Sequence, residues 1–113
     1  MTTAAAVASL EALAPGRVSV GVGPAHSQHS MGRPGTPWAE VAAYIRALRS
    51  LLQGEEVVVD AAVMRMLQPD GLVAHRPLSV PILVPAEGPK GYEVARALAD
   101  GVFSNATPRE EYP

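Results

Sequence analysis

The stretch LSVPILVPAEGPKGYEVARALADGVFS, residues 78–104, decides the fold. It opens with a β-rich run, Leu78 to Ala86, in which Val80, Ile82, Leu83 and Val84 suit a buried strand. Pro81 and Pro85 restrict its ladder bonding, so the run is expected to be frayed at both ends or bulged. Glu87-Gly88-Pro89-Lys90-Gly91 then leads directly into a helix with Tyr92, Val94, Ala95 and Leu98 as its apolar positions and Asp100-Gly101 as its end. Val102-Phe103-Ser104 forms another short strand. Strand, helix and strand at this spacing make a βα unit of a parallel sheet.

Working outward, the same alternation continues upstream. Thr3 to Ala14 is rich in helix formers, with Val7, Leu10, Leu13 and Ala14 at spacings of three and four, and Pro15-Gly16 stops it. Arg17 to Gly23 follows as a β-branched run ending on glycine. Pro24 to Thr36 has no periodicity and reads as a long loop. Thr36 is expected to cap the next helix, with Pro37 at its first position and Glu40 in its first turn. Val41, Ile45, Leu48 and Leu52 form its apolar stripe, widened by Trp38, Tyr44 and Leu51, and Gly54 closes it. Residues 55–77, with alternating Val57/Val59 and Met64/Met66 around a Pro69-Asp70-Gly71 turn, read as an extended excursion rather than a core layer. Met64, Met66 and the Trp38/Tyr44 face are read as packing residues. The expected fold class is therefore α/β, with about three parallel strands and intervening helices.

Composition bounds the function. The chain has 113 residues, 48% of them hydrophobic and 18% charged, which suits one small globular domain. A net charge of −2 removes the electrostatic case for a nucleic-acid partner. With no cysteine there is no disulfide scaffold, thiolate zinc site or cysteine nucleophile. No Lys or Arg precedes Arg17, as a signal peptide would require, and no apolar run reaches the ~20 residues of a membrane helix. A soluble, cytoplasmic protein without a membrane partner is expected.

The most informative local feature is the turn Ala86-Glu87-Gly88-Pro89-Lys90-Gly91 between strand and helix. Proline in the first turn, flanked by glycines, leaves amide groups open at the positive helix end, where a phosphate binds, and Lys90 adds charge. An ordinary tight β-to-α turn uses the same residues for geometric reasons, and the Glu87 carboxylate opposes a bound phosphate. Gly21-Val22-Gly23 ends its strand without continuing into GxGxxG, so close approach of a ligand and a plain strand-end turn are both open. His26 and His29 stand three apart in a loop with no Asp, Glu or Cys beside them and His75 far along the chain, so no metal site is expected. No Ser/His/Asp order or carboxylate pair marks catalytic residues.

Several separated stretches together resemble the luciferase-like monooxygenase superfamily. They are Pro15 to Gly23; Met31-Gly32-Arg33-Pro34 with Trp38 and the helix from Tyr44 to Val57; Arg76-Pro77; Val80 to Val84; Gly88-Pro89-Lys90-Gly91; and Val94-Ala95 through Phe103. Order and spacing are kept over roughly residues 7–105. The GPKG and DGVF pair is similar to the branch of deazaflavin (coenzyme F-420)-dependent oxidoreductases. The resemblance implies a (β/α)₈ TIM barrel with flavin mononucleotide (FMN) or the deazaflavin across the carboxyl ends of the strands. It also implies hydride transfer between that cofactor and a small-molecule substrate, with monooxygenation in some members. Residues 86–91 (Ala86, Glu87, Gly88, Pro89, Lys90, Gly91) would help hold the cofactor phosphate, and Gly21 and Gly23 would lie near its ring.

The chain departs from the family pattern at Gly21-Val22-Gly23-Pro24-Ala25, where many relatives have Gly-Thr-Gly-Phe-Thr, and in the acidic Glu87. A closed barrel of this type needs on the order of 200 residues, and three strands match only its middle. Residues 1–113 thus read as one partial barrel domain with 105–113 as a loose tail. On that reading the chain is a truncated oxidoreductase, expected to be inactive in isolation. The alternatives are a non-catalytic barrel remnant, self-associating through open sheet edges, and a small phosphate- or nucleotide-binding module.

Overall fold

Local sequence sets where each element begins and ends in the computed structural model, which describes residues 1–24, 32, 35–67, 76–86 and 88–103. Helix α1 spans Thr2–Leu13 and ends one residue before the expected stop. Gly16 then turns with φ +73°, and its amide donates to Glu11 Oε1 at 2.7 Å. The buried face of α1 differs from the expected stripe: Ala4, Val7 and Ala8 are buried, whereas Leu10 and Leu13 are 53% and 82% exposed. Two alanines let the helix axis approach its neighbours closely, which the long leucines would prevent.

Strand β1, Val20–Gly21, is shorter than the expected run, although Val20 and Val22 donate to Pro81 O and Leu83 O at 2.9 Å. Helix α2, Trp38–Leu52, buries Val41, Ala42, Ile45, Leu48, Leu51 and Leu52. Its N-cap is Pro37, with φ −58° and ψ 144°, and no side chain caps it. Thr36 therefore does not cap this helix, because proline's fixed φ suits the extended residue as well as the first helical one. Tyr44 also leaves the expected stripe: it is 48% exposed, and its hydroxyl hydrogen-bonds Thr3 Oγ1. The end of α2 is as expected from Gly54, which adopts φ +85°. Its amide bonds Leu51 O at 3.0 Å and the Glu55 amide bonds Ser50 O at 2.9 Å, the paired bonds of a Schellman close.

Residues 57–64 form an antiparallel hairpin of β2, Val57–Val59, and β3, Ala62–Met64, with Val58 opposite Val63. Asp60 and Ala61 both have positive φ, 49° and 63°, as a two-residue primed turn requires. The excursion does reach the core, since Met66 is buried and Val57 and Met64 pack against it. The expected Pro69-Asp70-Gly71 turn, His26, His29, His75, Glu87, Ser104 and the tail 105–113 lie outside the described residues.

Strand β4, Ile82–Pro85, helix α3, Pro89–Leu98, and strand β5, Gly101–Phe103, complete the unit. The sheet order is β1-β4-β5 and both pairings are parallel, with Gly21 beside Leu83 and Leu83 beside Gly101. The expected alternation thus holds, with the hairpin inserted between α2 and β4. Val20, Val22, Ile82 and Val84 share one face, and residues from all three helices pack with them in one core. Alternation sends Gly21, Gly23, Leu83, Pro85, Gly101 and Phe103 to the opposite face. Among the described residues no helix or strand packs over that second face. No described helix is long and apolar enough to cross a membrane.

Candidate functional site

Parallel pairing brings the carboxyl ends of β1 and β4 side by side, and there Gly21, Gly23, Ala86 and the start of α3 meet. Gly88 is the N-cap of α3, extended at φ −141° and ψ 174°, and Pro89 follows inside the first turn. Tyr92 makes a helical bond back to Gly88 O at 3.0 Å, so the amides of Lys90 and Gly91 precede it. No side chain caps this helix, and Pro89 has no amide of its own to satisfy. A ten-residue helix beginning this way presents amide hydrogens and the positive end of its dipole at the rim of the sheet. Lys90 is exposed beside it and has no ion pair among the described residues.

The glycines of the site are not alike. A Cβ on Gly88 would meet nothing within 4 Å, so this position opens to solvent at the helix end. At Gly23 the same atom would lie 2.5 Å from Pro85 Cγ, and at Gly21 it would lie 3.2 Å from Phe103 Cε1. Gly21 and Gly23 therefore make room for the rings of Phe103 and Pro85 on the open face. Their backbone still borders a cleft of about 430 Å³ lined by Thr3, Val20, Val22, Thr36, Glu40, Val41 and Tyr44. At Gly91 the missing Cβ is replaced by the Trp38 indole, whose Cζ2 would be 2.8 Å away, while Ala86 Cα would be 3.3 Å away. Gly91 and Ala86 are both buried. Open space at Gly88, a first turn of α3 without a side-chain cap, and an adjacent ammonium fit an anionic group such as a phosphate.

At the opposite end of the sheet, Asp100 holds the frame together. Asp100 Oδ2 accepts the Ile82 amide at 2.8 Å and Arg49 Nη2 at 2.8 Å, while Arg49 Nε donates to Leu98 O at 2.8 Å. The Ile82 amide holds the Asp100 carboxyl below its ordinary pKa, reinforced by Arg49 against a smaller opposing effect of burial. In the sequence, Asp100 marks only the end of a helix. Both partners lie about fifty residues apart, a separation that no local spacing reveals. The contact of Trp38 with Gly91 is another long-range pairing of the same kind.

The chain is thus α/β, a parallel three-stranded sheet with helices and with glycines at the carboxyl ends of adjacent strands. The whole chain, residues 1–113, matches the luciferase-like monooxygenase family, and it belongs to that family. It is similar to a 5,10-methylenetetrahydromethanopterin reductase of Methanolobus tindarius, 31% identical over 97% of this chain and 34% of the relative. The corresponding reductase of Archaeoglobus fulgidus is 28% identical over 97% of this chain and 33% of its own length. An F420-dependent glucose-6-phosphate dehydrogenase of Beutenbergia cavernae is 33% identical over 96% of this chain and 34% of its own length. The chain thus spans about a third of the length of the curated relatives it matches.

Proposed function

We propose that the chain contributes the phosphate-binding section of a deazaflavin-dependent oxidoreductase of the luciferase-like family. The observation that carries this reading is the uncapped start of α3 at Gly88-Pro89-Lys90-Gly91, beside the end of β1 on adjacent parallel strands. The amides of Lys90 and Gly91 and the Lys90 ammonium bind the anionic end of the cofactor. Gly21 and Gly23 border the ring, Ala86 forms the floor below the turn, and Glu87 belongs to the same turn. Coenzyme F-420 is preferred over FMN because a relative of this length match carries F420 dependence in its name. When bound, the cofactor supplies hydride exchange with a small-molecule substrate; the residues described here anchor and orient it. The architecture is one domain forming part of a (β/α)₈ barrel, in the cytoplasm.

The test is a titration of the purified chain with coenzyme F-420 and separately with FMN, followed by cofactor fluorescence. F-420 is expected to bind, and Lys90→Ala is expected to weaken it roughly tenfold, the range for loss of one charge-assisted contact. Failure of both cofactors to bind overturns the reading. A second reading, self-association, is favoured by β1 and β5 each pairing on one side only among the described residues. Sedimentation that stays monomeric at every concentration rejects it.

A further inference from the structure

Trp38 and Gly91 come from different elements, yet each explains the other. Trp38 is the first residue of α2, and it is half-buried against the core. Its indole occupies the volume of a side chain at position 91, with Cζ2 at 2.8 Å and Cη2 at 3.2 Å from where that Cβ would be. Gly91 lies in the first turn of α3, one residue beyond Lys90. The same missing atom would lie 3.3 Å from Ala86 Cα, the last described residue before the turn. The first turn of α3 is therefore held between the end of β4 and the indole, and its height above the sheet is set by the ring.

We infer that Trp38 is a positioning residue for the cofactor's anionic end: its indole, seated on Gly91, fixes where the Lys90 and Gly91 amides point. This rests on the cofactor reading above and names a residue, outside the turn, through which that turn acts. A side chain at position 91 has nowhere to go except by lifting the helix start or displacing the indole. Either movement changes the direction of the donor groups, and charge-assisted hydrogen bonds weaken steeply with misalignment. Shortening the ring at position 38 removes the two atoms that collide, so it makes room for the methyl of alanine.

The experiment is a double-mutant cycle of Gly91→Ala and Trp38→Phe, with binding measured well below the unfolding temperature and folding of each variant checked by circular dichroism. The probes are coenzyme F-420 and the same deazaflavin lacking its phosphate-bearing tail. Gly91→Ala is expected to weaken F-420 binding about tenfold and Trp38→Phe about fivefold, while the double variant returns to within about threefold of the parent, as coupled neighbours do. Binding of the tail-free deazaflavin is expected to change less than about twofold throughout, because it has no anion to misplace. A purely structural contact would lower the unfolding temperature and move both probes together, which overturns the inference. So does a double variant as weak as the sum of the single ones. If the parent binds neither probe, the cofactor reading falls and takes this inference with it; if the parent binds and rescue fails, only the role of Trp38 falls.

Discussion

Asp100 fastens three elements with one carboxylate: it begins the β4–β5 ladder by accepting the Ile82 amide, and it anchors Arg49 of α2 beside the end of α3. The Asp100 amide in turn donates to Ile82 O at 2.8 Å, so side chain and backbone act as a reciprocal pair. Because its folded pKa is depressed, its stabilisation is complete above the unfolded value near ~3.9 and disappears as pH falls through the folded value. The side chain is nearly half exposed, so the ion pair alone contributes no more than about 1 kcal/mol. Asp100→Ala also strips an acceptor from the amide of fully buried Ile82 and should cost about 1–3 kcal/mol at neutral pH. The gap between parent and variant in thermal unfolding should therefore be widest at pH 7 and narrow as pH falls through the folded value. A gap that stays constant across that range would show that the carboxylate charge is irrelevant.

At the scale of elements, features written in adjacent residues were legible and those made by distant partners were not. Pro89 after Gly88 announces the start of α3, and Gly54 announces the end of α2, because each signal acts through its own backbone. The β2–β3 hairpin was missed because its turn, Asp60-Ala61, carries neither glycine nor asparagine to advertise positive φ. The stripe of α1 misled because Leu10 and Leu13 repeat at helical spacing, yet what docks is the small face of Ala4, Val7 and Ala8. Most of the candidate site was visible as a turn between strand and helix, but the indole below it and the rings beside Gly21 and Gly23 were not. Met66 illustrates the energetic side: it is fully buried after the hairpin. Met66→Ala should destabilise the chain by about 2–5 kcal/mol in urea unfolding. A loss below about 0.5 kcal/mol, the level of a surface site, would mean that the hairpin segment is peripheral.

For the whole molecule, the controlling asymmetry is a three-stranded parallel sheet that, among the described residues, has helices on one face only. Parallel sheets are ordinarily covered on both faces, and here Leu83, Pro85 and Phe103 stand on the face that the helices leave open, with Phe103 46% exposed. Gly21 and Gly101 flank Leu83 on that face, and the Phe103 ring and the Leu83 side chain lie over the places their Cβ atoms would take. The central strand is bonded on both sides, so Leu83 and Val84 amides should exchange with solvent most slowly. In β1, Val20 and Val22 donate toward β4, so alternation points the Gly21 amide away from it. Hydrogen exchange should find Gly21 fast beside slow Val20 and Val22. Slow exchange at Gly21 that speeds up on dilution would instead reveal a second copy along that edge.

The indole at the start of α2 is the chain's single tryptophan. Its ultraviolet emission therefore comes from one place, the seat against Gly91. The molecule carries a built-in optical gauge at the foot of its candidate binding turn. A shift of that emission toward longer wavelength, at temperatures where the far-ultraviolet spectrum is still intact, would time the loosening of the turn before global unfolding, with no label attached.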